Sequence, residues 1–219
     1  MKYIFLHGLG QTASSWDKTI SCIGEKENII CPNLFELLQK KEVTYANLYE
    51  AFSEYCKNFS EPFAICGLSL GGVLALHYSI ENPDKVKAAV LIGTQYKIPK
   101  GLLKLQNIVF HIMPQRMFDT IGLAKKDAVN LSKSMMDLDF RQELQELKCP
   151  FLVICGEKDK ANKKASSELA GILPHAELKI IQNAGHEVNI DAPEKLGEVL
   201  KAYNDTSFGH RQLLHAQSL

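Results

Sequence analysis

Six short apolar runs, spaced along nearly the whole chain, set the strongest limit on what it can fold into. Most are continuous rather than alternating, which is typical of strands buried on both faces of a parallel sheet. Longer amphipathic stretches lie between several of them, as helices that cross over between parallel strands would. The pattern predicts an α/β domain with strands at residues 3–6, 29–31, 63–66, 88–92, 151–155 and 178–181.

Four stretches have the apolar spacing of helices: residues 44–58, 70–81, 163–172 and 193–203. Proline marks their limits, because it lacks the backbone N–H that continues a helix and fits best in a first turn. Pro83 and Pro174 follow two of these helices, and Pro193 begins the last.

Between about residues 97 and 148 the alternation stops, and the sequence predicts two or more short helices without a clear strand. We expect this part to be a lid above the carboxyl ends of the strands. The predicted organisation is a core of residues 1–98 and 148–204, a helical lid at 99–147 and a polar tail at 205–219.

Charge and cysteine usage exclude several classes of protein. With 25 basic and 25 acidic residues the net charge is zero, so neither a nucleic-acid groove nor a polybasic membrane surface is expected. The 6 cysteines show no C-x-x-C spacing and mostly lie within or beside apolar runs, so they are predicted to be small buried hydrophobic residues in a reducing compartment. No segment has the length of a membrane span or the pattern of a signal peptide. The expectation is a cytoplasmic protein, monomeric or a small homo-oligomer.

Residues 67–71, Gly-Leu-Ser-Leu-Gly, lie between a predicted strand and a predicted helix. A serine at the tip of such a turn is exposed at a helix N-terminus, and glycines on either side let the strand and helix pass close together. Ser69 is therefore a candidate nucleophile. The motif alone is a moderate signal, because glycine and serine are common in this chain.

Three further loops follow predicted strands and are expected at the same edge of the sheet. His7-Gly8-Leu9-Gly10 follows the first, and its turn suits an oxyanion hole, with His7 a hydrogen-bonding strut rather than an acid or base. Asp159 and His186 follow the fifth and sixth. An imidazole that takes the serine proton, oriented by a carboxylate, completes a nucleophilic triad.

With these motifs, the sequence resembles the α/β-hydrolase superfamily. The resemblance rests on His-Gly-Leu-Gly at 7–10 with Trp16 downstream, Gly-Leu-Ser-Leu-Gly-Gly at 67–72, residues 82–86, residues 149–159, and Ala-Gly-His at 184–186. It spans nearly the whole chain, and the order Ser, Asp, His is that of the family. It implies an α/β-hydrolase fold: a mostly parallel sheet of about six strands, flanked by helices, with a short helical lid.

The same resemblance implies roles for individual residues. Ser69 would be the nucleophile, His186 the general base and then acid, and Asp159 the orienting carboxylate, while the backbone N–H groups of Leu9 and Leu70 would form the oxyanion hole. No metal and no organic cofactor is needed. Candidate substrate contacts are Trp16, for which packing in the core is an equal alternative, and the lid residues Phe110, Met113 and Met117.

Two departures from the family pattern are visible: fewer strands precede the His-Gly turn, and the lid is short. The expected activity is hydrolysis of a small-molecule carboxylic ester or thioester of small to medium acyl size. Arg116 and Arg141 leave room for a substrate that bears a carboxylate. One alternative uses the same triad in a C–C bond hydrolase or lyase, for which a lid arginine should face the serine. Another is a ligand-binding member without catalysis.

Overall fold

The structure is a computed structural model that describes residues 1–24, 26–101, 115, 118 and 123–216, with only the backbone for 205–216. Its centre is a six-stranded sheet in the order β2-β1-β3-β4-β5-β6, and every neighbouring pair is parallel. The predicted parallel α/β sheet is confirmed. The strands are β1 (Tyr3–Leu6), β2 (Ile29–Ile30), β3 (Phe63–Leu68), β4 (Val86–Ile92), β5 (Phe151–Gly156) and β6 (Ala176–Ile181).

The α-helices described are α1 (Asp17–Ile23), α2 (Leu34–Leu37), α3 (Tyr45–Cys56), α4 (Leu70–Glu81), α5 (Lys125–Ser134), α6 (Lys163–Ile172), α7 (Val188–Asp191) and α8 (Pro193–Ala216). The bounds of α4 and α6 agree with those predicted. Helix α3 is shorter, because Thr44 is its N-cap and accepts the Asn47 N–H at 3.2 Å. Helix α8 continues beyond the predicted end at residue 203.

Three short helices, α1, α2 and α7, were not predicted. They have 7, 4 and 4 residues, so they present at most two turns of apolar periodicity. Their apolar residues pack on the sheet or near the site, and that tertiary contact stabilises helices too short to be stable alone.

Alternate residues of β1, β3, β4 and β5 supply two separate cores. Ile4 and Leu6 of β1 pack with α3, α4 and α6, whereas Tyr3 and Phe5 pack on the opposite face with α1 and α8. This follows from the twofold side-chain period of a strand. Burial on both faces explains why strands β1, β3 and β5 read as continuous apolar runs.

Part of the predicted lid is described. An isolated antiparallel bridge joins Lys97 to Asp139, and α5 lies between these two positions in the chain. Ser134 at the end of α5 accepts the Tyr45 N–H at 2.8 Å, which ties this region to the first turn of α3. In the described ranges no helix combines the length and apolar character needed to cross a membrane.

Candidate active site

Ser69 lies in the turn between β3 and α4 with φ of 54° and ψ of −113°. Positive φ is unfavourable for a residue with a Cβ atom and is often found at functional sites. Two backbone hydrogen bonds hold the conformation: Ser69 N–H donates to the Ile92 carbonyl at 2.8 Å, and its own carbonyl accepts from Val73 N–H at 2.9 Å. The serine is thus fixed at the N-terminus of α4.

Glycines permit this turn because there is no space for side chains around it. A Cβ atom on Gly67 would lie 2.2 Å from the Gly71 carbonyl oxygen, and one on Gly71 would lie 2.3 Å from the Leu6 carbonyl oxygen. Real Cβ atoms do not approach backbone that closely. The two glycines of the motif are therefore explained by the crossing of β3, α4 and β1.

The His-Gly turn after β1 passes directly beside the serine. A Cβ atom on Gly8 would lie 3.6 Å from the Cβ of Ser69. Gln11 N–H closes the turn on the Gly8 carbonyl at 3.2 Å. Among the described residues we find no acceptor for the N–H groups of Leu9 and Leu70, the two predicted oxyanion donors.

His7 has both ring nitrogens engaged within this turn. Its Nδ1–H donates to the Gly8 carbonyl at 2.9 Å, and its Nε2 accepts the Leu34 N–H at 3.1 Å. Burial lowers the pKa of His7, partly offset by the bond to Gly8. A neutral imidazole with one donor and one acceptor in use is a structural strut, as the sequence predicted.

Asp159 and His186 lie on the loops that follow β5 and β6. His186 Nδ1 is 2.7 Å from Asp159 Oδ2, and the carboxylate is buried at 6% exposure. Burial alone would raise the pKa of Asp159, but the hydrogen bonds and charge attraction from His186 and the bonds from Asn162 outweigh it, so the pKa lies below its usual value. The carboxylate is held ionised against the imidazole.

Asn162 is a further member of this group that the sequence did not indicate. Its Nδ2 lies 2.9 Å from Asp159 Oδ1 and 2.8 Å from Oδ2, and its backbone N–H donates to Oδ1 at 3.2 Å. Gln95 Nε2 donates to the side-chain oxygen Oδ1 of Asn162 at 2.7 Å and orients the amide. The available signal was an amide residue three positions after the candidate aspartate, at the start of α6.

Gly93 lies beside both the turn that carries Ser69 and the pair formed by Asp159 and His186. It follows Ile92, whose carbonyl accepts the Ser69 N–H, and a Cβ atom on Gly93 would lie 3.0 Å from both Cε1 and Nδ1 of His186. The structure therefore brings both Ser69 and His186 next to the short segment Ile92-Gly93, where strand β4 ends. No hydrogen bond joins these two described side chains, and such bonds are often long before substrate binds.

We expect Gly93→Ala to slow any reaction that uses His186 about tenfold, because the new methyl group displaces the His186 ring by a few tenths of an ångström. The positive φ of 55° adds a strain of about 1 kcal/mol. Gly24→Ala is the matched control, since Gly24 has φ of 87° with no described atom within 4 Å of a new Cβ. Thermal unfolding and kcat are measured for both. Equal activity of the two variants would contradict a role for Gly93 in placing the imidazole.

The predicted substrate contacts have different outcomes. Trp16 is fully buried and packs edge-on against Phe5 at 5.1 Å between ring centroids, so its position is that of a core residue. Phe110, Met113, Met117 and also Arg116 lie outside the described residues. Arg141 is paired with Asp139, with Nη2 at 2.7 Å from Oδ2.

The sequence is similar to one protein family and to several curated hydrolases. A model described as "Alpha/beta hydrolase family" matches residues 3–199. Among curated relatives, an (E)-2-((N-methylformamido)methylene)succinate hydrolase of Acinetobacter baylyi is 20% identical, over 93% of this chain and 90% of that protein. A pimeloyl-[acyl-carrier protein] methyl ester esterase of Proteus mirabilis is 24% identical over 90% of each.

Solved structures show the same fold. One from a study of carboxylesterases of Nitrososphaera gargenis superposes with a TM-score of 0.81 at 17% identity, covering 95% of this chain and 92% of that one. The enol-lactonase of Burkholderia xenovorans gives 0.76 at 17% identity, covering 92% and 90%.

Proposed function

The chain belongs to the alpha/beta hydrolase family, and on that premise we propose that it is a serine hydrolase acting on a carboxylic ester or thioester of small to medium acyl size. The observation that carries the proposal is the convergence at one sheet edge of Ser69 on its strained turn with His186 bonded to the buried Asp159. The methyl ester esterase among the relatives supports the ester as the bond cleaved.

In the first half of the reaction, His186 Nε2 takes the proton of the Ser69 hydroxyl while Oγ attacks the carbonyl carbon of the substrate. The oxyanion that forms accepts hydrogen bonds from the N–H groups of Leu9 and Leu70. Each such donor contributes about 2.7–4 kcal/mol to transition-state stabilisation in a dry, preorganised site.

Collapse of this intermediate breaks the bond to the alcohol or thiol, which receives the proton from His186 and leaves an acyl group on Ser69. Water then attacks the acyl-enzyme, with His186 as base and the same two N–H groups as donors. Asp159 holds Nδ1–H throughout, so that Nε2 is the nitrogen free to accept a proton.

The test combines turnover with covalent labelling of the wild-type protein. We expect hydrolysis of p-nitrophenyl esters from acetate to octanoate, and a fluorophosphonate probe attached to the peptide that contains Ser69. Comparing kcat/KM along the series gives the preferred acyl length. Labelling without ester turnover would favour the C–C bond hydrolase or lyase alternative. If the protein shows no ester turnover and no labelling, the result would favour a ligand-binding protein and overturn the proposal.

A further inference from the structure

Two buried side-chain amides join segments that are far apart in the sequence. Gln11 is 5% exposed and Asn189 is 1% exposed. Gln11 Nε2 donates to Asn189 Oδ1 at 3.1 Å, and Asn189 Nδ2 donates back to Gln11 Oε1 at 3.1 Å, across 178 positions of sequence. The two residues form a closed, reciprocal amide pair.

The remaining contacts of this amide pair connect it to both sides of the candidate site. Gln11 Oε1 accepts the Gly8 N–H at 3.4 Å, and Gln11 Nε2 also donates to Glu187 Oε1 at 3.1 Å. Asn189 Nδ2 also donates to the Ser15 carbonyl at 3.1 Å. Each amide nitrogen thus has two acceptors, and a fully satisfied polar network in the interior specifies one geometry.

The segments joined in this way carry two separate parts of the proposed machinery. Gly8 precedes Leu9, the candidate oxyanion donor, and Glu187 directly follows His186. In the sheet β1 and β6 are four strand spacings apart, roughly 19 Å, so the sheet itself does not hold their loops together. The amide pair joins these loops directly.

We propose that Gln11 and Asn189 are positioning residues that set the distance between the Leu9 N–H and the His186 imidazole. The inference rests on the proposed hydrolase function of the same site. When Ser69 attacks the substrate carbonyl, the His186 imidazole accepts the serine proton while the Leu9 N–H donates a hydrogen bond to the carbonyl oxygen. A displacement of either loop by about 1 Å then separates the two actions and costs up to about a hundredfold in rate.

The test is a double-mutant cycle with Gln11→Met, Asn189→Leu and the combined variant. For p-nitrophenyl acetate we expect each single substitution to lower kcat by about tenfold to a hundredfold, with KM changed by less than about twofold. The combined variant is expected to lose much less than the product of the two single losses, because the bonds between Gln11 and Asn189 are lost in all three variants.

Leu200→Ala is the matched control. Leu200 is a buried residue of α8, and its truncation lowers the unfolding temperature without touching the site. Kinetics are measured at a temperature at which circular dichroism shows that each variant is folded. If a single variant fails to fold, the combined variant decides, since it leaves neither amide of the pair buried without its partner.

Two results would overturn the inference alone while wild type remains active and labelled at Ser69. One is that Gln11→Met and Asn189→Leu lose thermal stability but keep the wild-type kcat, which is the result expected for the control Leu200→Ala. The other is a combined variant whose loss equals the product of the two single losses. A wild-type protein that neither hydrolyses the ester nor reacts with fluorophosphonate would overturn the proposed function, and the inference with it.

Discussion

Replacing Ser69 with Ala is expected to lower kcat for p-nitrophenyl esters by about a millionfold, and replacing His186 with Ala to have a similar effect. In the proposed mechanism the serine supplies the atom that forms the covalent intermediate and the imidazole removes its proton, so either loss removes the same step. The double variant is therefore expected to lose no more than the single ones. The residual rate would come from substrate binding and the two oxyanion donors.

Ser69→Ala is a clean substitution because alanine retains the Cβ atom and the backbone strain at φ of 54°. Ser79→Ala is its matched control: this buried serine lies on α4, the helix that begins directly after Ser69, and its hydroxyl donates to the Ala75 carbonyl at 2.7 Å. Initial rates, fluorophosphonate labelling and thermal unfolding are compared. Substantial ester turnover by Ser69→Ala, with labelling at another residue, would refute the assignment of the nucleophile.

The centre of the sheet was predictable from sequence because strands β1, β3, β4 and β5 are buried on both faces and are therefore nearly continuous apolar runs. Strand ends were less predictable, since β3 extends through Gly67 and Leu68, whose strand conformation depends on pairing with β4. The short helix α7 was missed for a similar reason. Its Asn189 is buried through a partner 178 positions away, which local periodicity does not contain.

The candidate triad could be predicted because strand ends of a parallel sheet converge, and residue type then selects Ser69, Asp159 and His186. Its assignment remains a prediction that the geometry supports. Asn162 and Gly93 could not be selected in this way. An asparagine near a helix start and a glycine after a strand are common, and their relation to His186 follows from packing between loops that meet only in the folded chain.

Asp159→Asn is expected to reduce kcat by about 10⁴-fold at neutral pH while the protein remains folded. The substitution preserves size and removes one negative charge. The loss of kcat is expected to exceed the loss caused by removing the carboxylate charge alone, because Asn162 determines which way the new amide must face. Asp84→Asn is the matched control. Asp84 is exposed in the turn before β4, at the amino ends of the strands, whereas the candidate site lies at their carboxyl ends.

The orientation of that amide follows from the donors around the carboxylate. The Asn162 side chain lies within hydrogen-bond distance of both carboxylate oxygens, whereas its backbone N–H donates to Oδ1 alone, so we expect the amide oxygen of the variant to occupy the Oδ1 position. Its NH₂ group then faces His186 Nδ1 and makes that nitrogen an acceptor. The neutral ring must carry its proton on Nε2, where it has no capacity to accept a proton from Ser69. Kinetics together with nitrogen NMR of the imidazole test this argument: a variant with Nδ1 still protonated and activity near wild type would contradict it.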